Sequence, residues 1–177
     1  MDLLNTPLED LVFNILRSDA PVEKYSRKFF DVITAYSFEK TNLQLEEHFF
    51  PRVHVSNILD SFARNDPSVT QGISLFQDPE KRILAADDPE QLLSFCDTVV
   101  FFSGFLPEIF NRKIVSREYY EQLARSGFES LHKKTIGNSY LRQMSANLGR
   151  YIGALSFMRN NLLRDSFQKD EKAYIIN

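Results

Sequence analysis

Pro89-Glu90-Gln91-Leu92-Leu93-Ser94-Phe95-Cys96-Asp97-Thr98-Val99-Val100-Phe101-Phe102-Ser103-Gly104-Phe105 is the stretch that decides the fold. Asp88 before it carries the short carboxylate of an N-cap, and Pro89 has the fixed φ suited to a first helical position. Leu92, Leu93, Phe95, Cys96, Val99, Val100, Phe101, Phe102 and Phe105 surround this helix instead of striping one face. A helix apolar on nearly all sides belongs at the centre of a bundle. Thr98 to Phe102 taken alone also reads as a buried strand, but the proline cap and the length of the run favour a helix over about 89–105. Gly104 is expected to end it, and Pro107 enforces the break.

Outward from this rod, apolar residues recur at helical spacing. Thr6-Pro7-Leu8-Glu9 is a capping box that predicts a helix over 7–17. Pro21 opens a second, striped by Tyr25, Phe29, Val32, Ile33 and Tyr36. Asn42 to Phe50 reads as a short helix stopped by Pro51, and Val55, Ile58, Leu59 and Phe62 mark another that ends near Asn65-Asp66-Pro67. Residues 67–78, with Gly72 in the middle, read as a loop or broken turn, and Asp78-Pro79-Glu80 as a further N-cap and proline start. Ser116 caps a helix over 117–135, Gly137-Asn138 is turn chemistry, and a last long helix is expected over 139–164. Its stripe is Tyr140, Met144, Leu148, Tyr151, Leu155, Met158 and Leu162, with Gly149 and Gly153 on the far side as a place for a second close backbone contact. No alternating strand pair and no repeat is found. The expected fold is all-α: a single compact helical bundle over 1–165 around the 89–105 helix, with a C-terminal tail over 166–177.

The composition agrees. A chain of 177 residues, 43% hydrophobic and 25% charged, fits one domain with a real core, and 13% aromatics without tryptophan predict a Phe-rich one. One cysteine excludes an intramolecular disulfide and a multi-cysteine zinc site. The first residues carry no basic region of a secretory signal, and the most apolar run, Val99 to Leu106, falls well short of the roughly 20 residues of a membrane span. The expectation is a soluble, cytoplasmic protein with no membrane partner.

Charge is unevenly distributed. Residues 1–110 hold 9 Lys and Arg against 18 Asp and Glu, whereas residues 111–164 hold 10 against 3. The first reading is internal complementarity, the basic half lying on the acidic one. The second is a basic face, with Arg142 and Arg150 on the last helix, for an acidic protein surface. Nucleic acid is disfavoured, because the excess is small and no stacking motif accompanies it.

The chemistry-bearing residues give few constellations. Glu129-x-x-His132 is half of a di-iron pattern, but neither His48 nor His54 has an acid three residues before it, and no metal or other cofactor is expected. Cys96 lies among Phe and Val and is expected to be an inert core thiol. No glycine-rich phosphate loop and no nucleophile elbow occurs. Asp97, on the helix expected to be most buried, needs a partner, for which Arg112, Arg117 or an arginine of the last helix is available; alternatively a pocket has Asp97 or Tyr120 as its polar handle. Arg125 and His132 lie nearly two turns apart on one helical face. This pair resembles the motif of HEPN-type ribonucleases, small all-α dimers, and the resemblance implies a histidine near the scissile phosphate and an arginine that holds it. The polar residue after the arginine is Ser126, a poor match to that pattern.

Phe101, Ser103, Gly104, Phe105, Pro107, Arg112, Ser116, Tyr119, Tyr120 and Phe128 form a second pattern, Phe-x-Ser-Gly-Phe-x-Pro, a basic residue, then Ser-x-x-Tyr-Tyr and an aromatic. It resembles a family of small uncharacterised bacterial helical proteins, with Phe128 at a position where tyrosine is usual. The resemblance covers about a fifth of the chain, and it implies a bacterial cytoplasmic helical protein and no particular activity. Either these aromatics form a core corner of the bundle, or they offer Phe105, Phe110 and Tyr119, with Arg112, to a partner. The functional expectation is a non-enzymatic protein-interaction or regulatory module that binds another protein or a second copy of itself. Ribonuclease action through Arg125 and His132 and a small-ligand pocket are the alternatives.

Overall fold

A computed structural model describes residues 27–135 and 138–162. The helix expected over 7–17, the start of the next at Pro21, Gly137 and the tail over 166–177 lie outside the described residues. The described chain is all-α, and no β-strand occurs in it. In order it forms α1 (Arg27–Lys40), α2 (Phe49–Arg64), α3 (Pro67–Gln77), α4 (Pro79–Ala85), α5 (Pro89–Phe105), a 3-10 helix (Pro107–Arg112), α6 (Arg117–Lys134), α7 (Ser139–Ala146) and α8 (Leu148–Asn161).

The central rod is α5. Asp88 accepts hydrogen bonds from the backbone N–H groups of Glu90 and Gln91 at 3.0 and 3.2 Å, which satisfies donors that the first turn leaves free. From Ser94 to Phe105 every residue but Asp97 is buried. Helices α2, α3, α4, α6, α8 and the 3-10 helix all pack on it. Gly104 does not end the helix. It is helical and buried, and α8 approaches so closely there that a Cβ would collide with the side chain of Leu155. The helix stops one residue later, ahead of Pro107, whose ring cannot continue it.

Three further boundaries differ from the sequence reading. Pro51 opens a helix instead of stopping one: it lies in the first turn of α2, where a missing N–H costs nothing. Residues 67–77 are helical despite Gly72. Val69, Gly72, Leu75 and Phe76 make the buried face of α3, and Gly72 is the point where α3 meets the backbone of α5 at Ser94. The last helix is broken once, at Asn147, into α7 and α8, while its buried stripe (Leu141, Met144, Leu148, Tyr151, Leu155, Met158) runs through the break. Gly149 and Gly153 are exposed, and a Cβ at Gly153 would meet nothing within 4 Å, so within the described chain Gly153 makes no close backbone contact.

The core is Phe-rich. Phe62 stacks on Phe101 at 3.7 Å between ring centroids and Phe101 on Phe105 at 5.2 Å. Phe76 meets Phe102, Phe110 and Tyr120 at 5.0, 5.6 and 4.6 Å. Offset and edge contacts of this kind add about 0.5–1.5 kcal/mol each beyond area burial. The acidic and basic halves meet through Arg159 and Glu108 at 2.6 Å and Lys134 and Asp87 at 3.6 Å. Arg150 donates to the Asn42 carbonyl at 3.0 Å, which fastens α8 to the turn after α1.

Candidate functional site

Asp97 is the one residue in the Ser94–Phe105 run of α5 that is not buried, and its partner is not an arginine. His54 of α2 meets it, Nε2 to Oδ1 at 2.8 Å, with side-chain exposures of 12% and 24%. The imidazole lies edge-on to Phe128 of α6 and beside Tyr140 of α7. Burial disfavours its charge, the carboxylate of Asp97 outweighs that, and His54 titrates above its ordinary value. Burial and the same carboxylate push the Tyr140 phenol up. Four helices therefore converge on one ion pair.

Next to Asp97 is a pocket of about 60 Å³ lined by Asn57, Ser61, Ser68, Ser94 and Thr98 among others. That space has room for only a few waters, against the roughly 300–1,000 Å³ of a ligand cleft. Ser94 and Thr98 already donate to the Glu90 and Ser94 carbonyls, so neither hydroxyl proton is directed at His54. Tyr120 is not part of this pocket. It is buried against Phe76, Phe110 and Arg82, so of the two expected handles only Asp97 borders this pocket. A larger depression, about 400 Å³ and open, lies over the 39–46 turn and is bordered by Glu39, Asn42, Leu43 and Glu46.

The other sequence candidates separate. Arg125 donates to the Ser145 carbonyl at 3.0 Å, and Nδ1 of His132 is bonded to the Asn138 carbonyl at 3.2 Å. Those carbonyls lie at opposite ends of α7, about 10 Å apart at 1.5 Å per residue. His48 is paired with Tyr151, Nδ1 to the hydroxyl at 2.9 Å; burial and then Arg150 hold that imidazole below its ordinary value. Burial pushes the Tyr151 phenol up to about 12. Cys96 is buried, and burial together with Asp97 raises its thiol. Among the described residues no three His, Cys, Asp or Glu side chains come together as metal ligands. No described helix is long and apolar enough to cross a membrane.

Phe105 and Phe110, expected as partner anchors, are core residues at 1% and 7% exposure. The Ser-Gly-Phe-x-Pro segment is thus structural: Gly104 admits α8, and Phe110 closes the aromatic cluster beneath the 3-10 helix. Arg112, Tyr119, Arg142 and Arg150 are exposed as expected.

Besides Tyr119, the exposed large apolar residues are others, with Phe49 and Phe50 forming a pair at the start of α2. Ile83 and Leu84 on α4, Ile114 and Val115 in the turn before α6, and Tyr119 in its first turn all face solvent. Arg82 holds these segments side by side, its guanidinium over the Tyr120 ring at 5.2 Å and over the Phe95 ring at 5.4 Å. Lys113 joins them, with Nζ 4.7 Å from the centre of the Phe76 ring. Periodicity missed this corner because α4 has seven residues, too few for a legible stripe, and Ile114-Val115 lies in a turn. Two consecutive aliphatic residues between Lys113 and Ser116, where turn chemistry is usually polar, were the available signal. Comparison of the chain with protein-family models, with curated proteins and with solved structures gives no match.

Proposed function

We propose that this chain is a non-enzymatic α-helical interaction module that docks a partner protein on the corner formed by α4, the 113–116 turn and the first turn of α6. The observation that carries the reading is the distribution of exposed large hydrophobic side chains: of the seven among the described residues, five (Ile83, Leu84, Ile114, Val115 and Tyr119) lie on these three elements. Isolated apolar residues on a surface need no explanation, whereas a cluster next to arginine and tyrosine has the make-up of an interface core. The rigid base supports this use. Phe76, Phe110 and Tyr120 are packed beneath the corner, so binding orders little that is not already ordered. The pocket beside Asp97, about 60 Å³, is small for a substrate, which favours binding over catalysis.

A photo-crosslinking residue at Ile114 identifies the bound protein, and the purified pair is then titrated. Leu84→Asp and Ile114→Asp are expected to weaken the complex at least tenfold without changing the melting profile, since both side chains are exposed. Arg142→Glu, on α7, is expected to leave it intact. Unchanged affinity in the two aspartate variants removes the corner from the account, and loss in Arg142→Glu alone transfers the docking role to the basic helices.

A further inference from the structure

We propose that the protein docked on this corner is a second copy of the chain, two corners meeting about a two-fold axis. The inference rests on the docking reading and names its partner. Size is the first argument. Ile83 and Leu84 are 76% and 84% exposed and Ile114 wholly so, with Val115 and Tyr119 of the same segment exposed in part. Five side chains of this kind present on the order of 500 Å² of apolar surface. Homodimer interfaces are about 65% apolar, so that surface with its polar rim makes about 800 Å² per chain. A stable pair buries about 800 Å² on each partner. Composition is the second argument. Ile83, Leu84, Ile114 and Val115 are aliphatic, and Tyr119 is the one member of the cluster with a polar group. Interfaces between copies are more apolar than those between transient unlike partners, which resemble ordinary surface.

The charges that frame the corner suit its own copy. Helix α4 carries Glu80, Lys81 and Arg82, and the 113–119 segment carries Lys113, Arg117 and Glu118. Each segment thus holds both signs. Whichever segment it meets on the second copy, an acid or a base finds its opposite there, whereas a corner of one sign would repel its copy. Lys81 and Arg117 are also paired within the chain, with Asp78 at 3.8 Å and Glu121 at 2.6 Å, which weakens the attraction for a strongly charged partner. The whole chain has a net charge of −3, a small repulsion between copies that salt screens beyond about 8–10 Å.

Sedimentation equilibrium of the purified full chain over a hundredfold range of concentration reads the mass directly. The expected result is a rise from the 20.6 kDa of one chain toward twice that value. Leu84→Asp and Ile114→Asp are each expected to raise the dimer dissociation constant at least tenfold, and Arg142→Glu, on α7, to leave it unchanged. Methyl NMR of the wild-type chain is the check that needs no variant: on dilution the Ile83, Leu84 and Ile114 methyls are expected to shift, and those of the buried Ile33 and Ile58 to stay. A chain that is monomeric throughout overturns the second copy, as does a dimer that both aspartate variants leave intact. The docking reading is separable. It survives a monomeric chain when a different protein crosslinks at Ile114 and the aspartate variants weaken that complex, and it fails when they leave every such complex intact.

Discussion

Substituting alanine for Gly72 tests how α3 packs on the central rod. Two effects oppose each other. In an exposed helix the change gains about 1 kcal/mol, because glycine is the poorer helix former. At Gly72 the new methyl would lie under 3.0 Å from both the Thr98 hydroxyl and the Ser94 carbonyl oxygen. The hydroxyl is itself bonded to that carbonyl at 2.8 Å, and the carbonyl belongs to α5 and has no rotamer to escape into. Overpacking costs about 1–3 kcal/mol when side chains absorb it, and a backbone collision belongs at or above the upper end. The net expectation is a loss of about 2 kcal/mol or more, a fall in Tm of at least about 4–8 °C for a chain of this size. Gly153→Ala is the internal control. It is on an exposed helical face with open space around its Cβ, so it is expected to gain up to about 1 kcal/mol. Thermal and urea unfolding followed by helical circular dichroism measure both. A Gly72→Ala protein as stable as wild type would show that α3 does not approach α5 closely, and the packing described for the rod would be wrong.

Two further outcomes follow from the buried groups. His54 titrates above its ordinary value in the folded chain, so its pairing with Asp97 stabilises fully below the unfolded imidazole pKa of about 6.5 and is lost as pH rises through the folded one. The stability difference between wild type and Asp97→Asn, read from urea midpoints between pH 5.5 and 8.5, should be largest at the acid end and shrink upward; a difference independent of pH would mean the two groups do not share a charge. Cys96, buried and raised in pKa, should resist a thiol reagent at pH 8 in native buffer and react only at the rate of unfolding. Rapid labelling of the native chain would place α5 at the surface.

The amino-acid sequence determined the rod and most of what surrounds it. Asp88-Pro89 and the all-round apolar run placed α5 within a residue of its ends, and Ser116 placed the start of α6, because caps and prolines act through local backbone geometry that needs no partner. Sequence failed where tertiary contact reverses a local rule. Gly72 and Gly104 read as breaks, yet both are helical, since each lets another helix approach where any side chain would obstruct it. Phe105 and Phe110 read either as a core corner or as docking aromatics, and the bundle makes them core, while Ile83 and Ile114 carried no period that marked them and are exposed. Likewise Asp97 had several cations to choose from in the chain, and the folded protein gave it His54, which lies 43 residues away. Local signals specify where a helix begins; which of its faces is covered, and by what, depends on the other helices, and only the assembled bundle decides it.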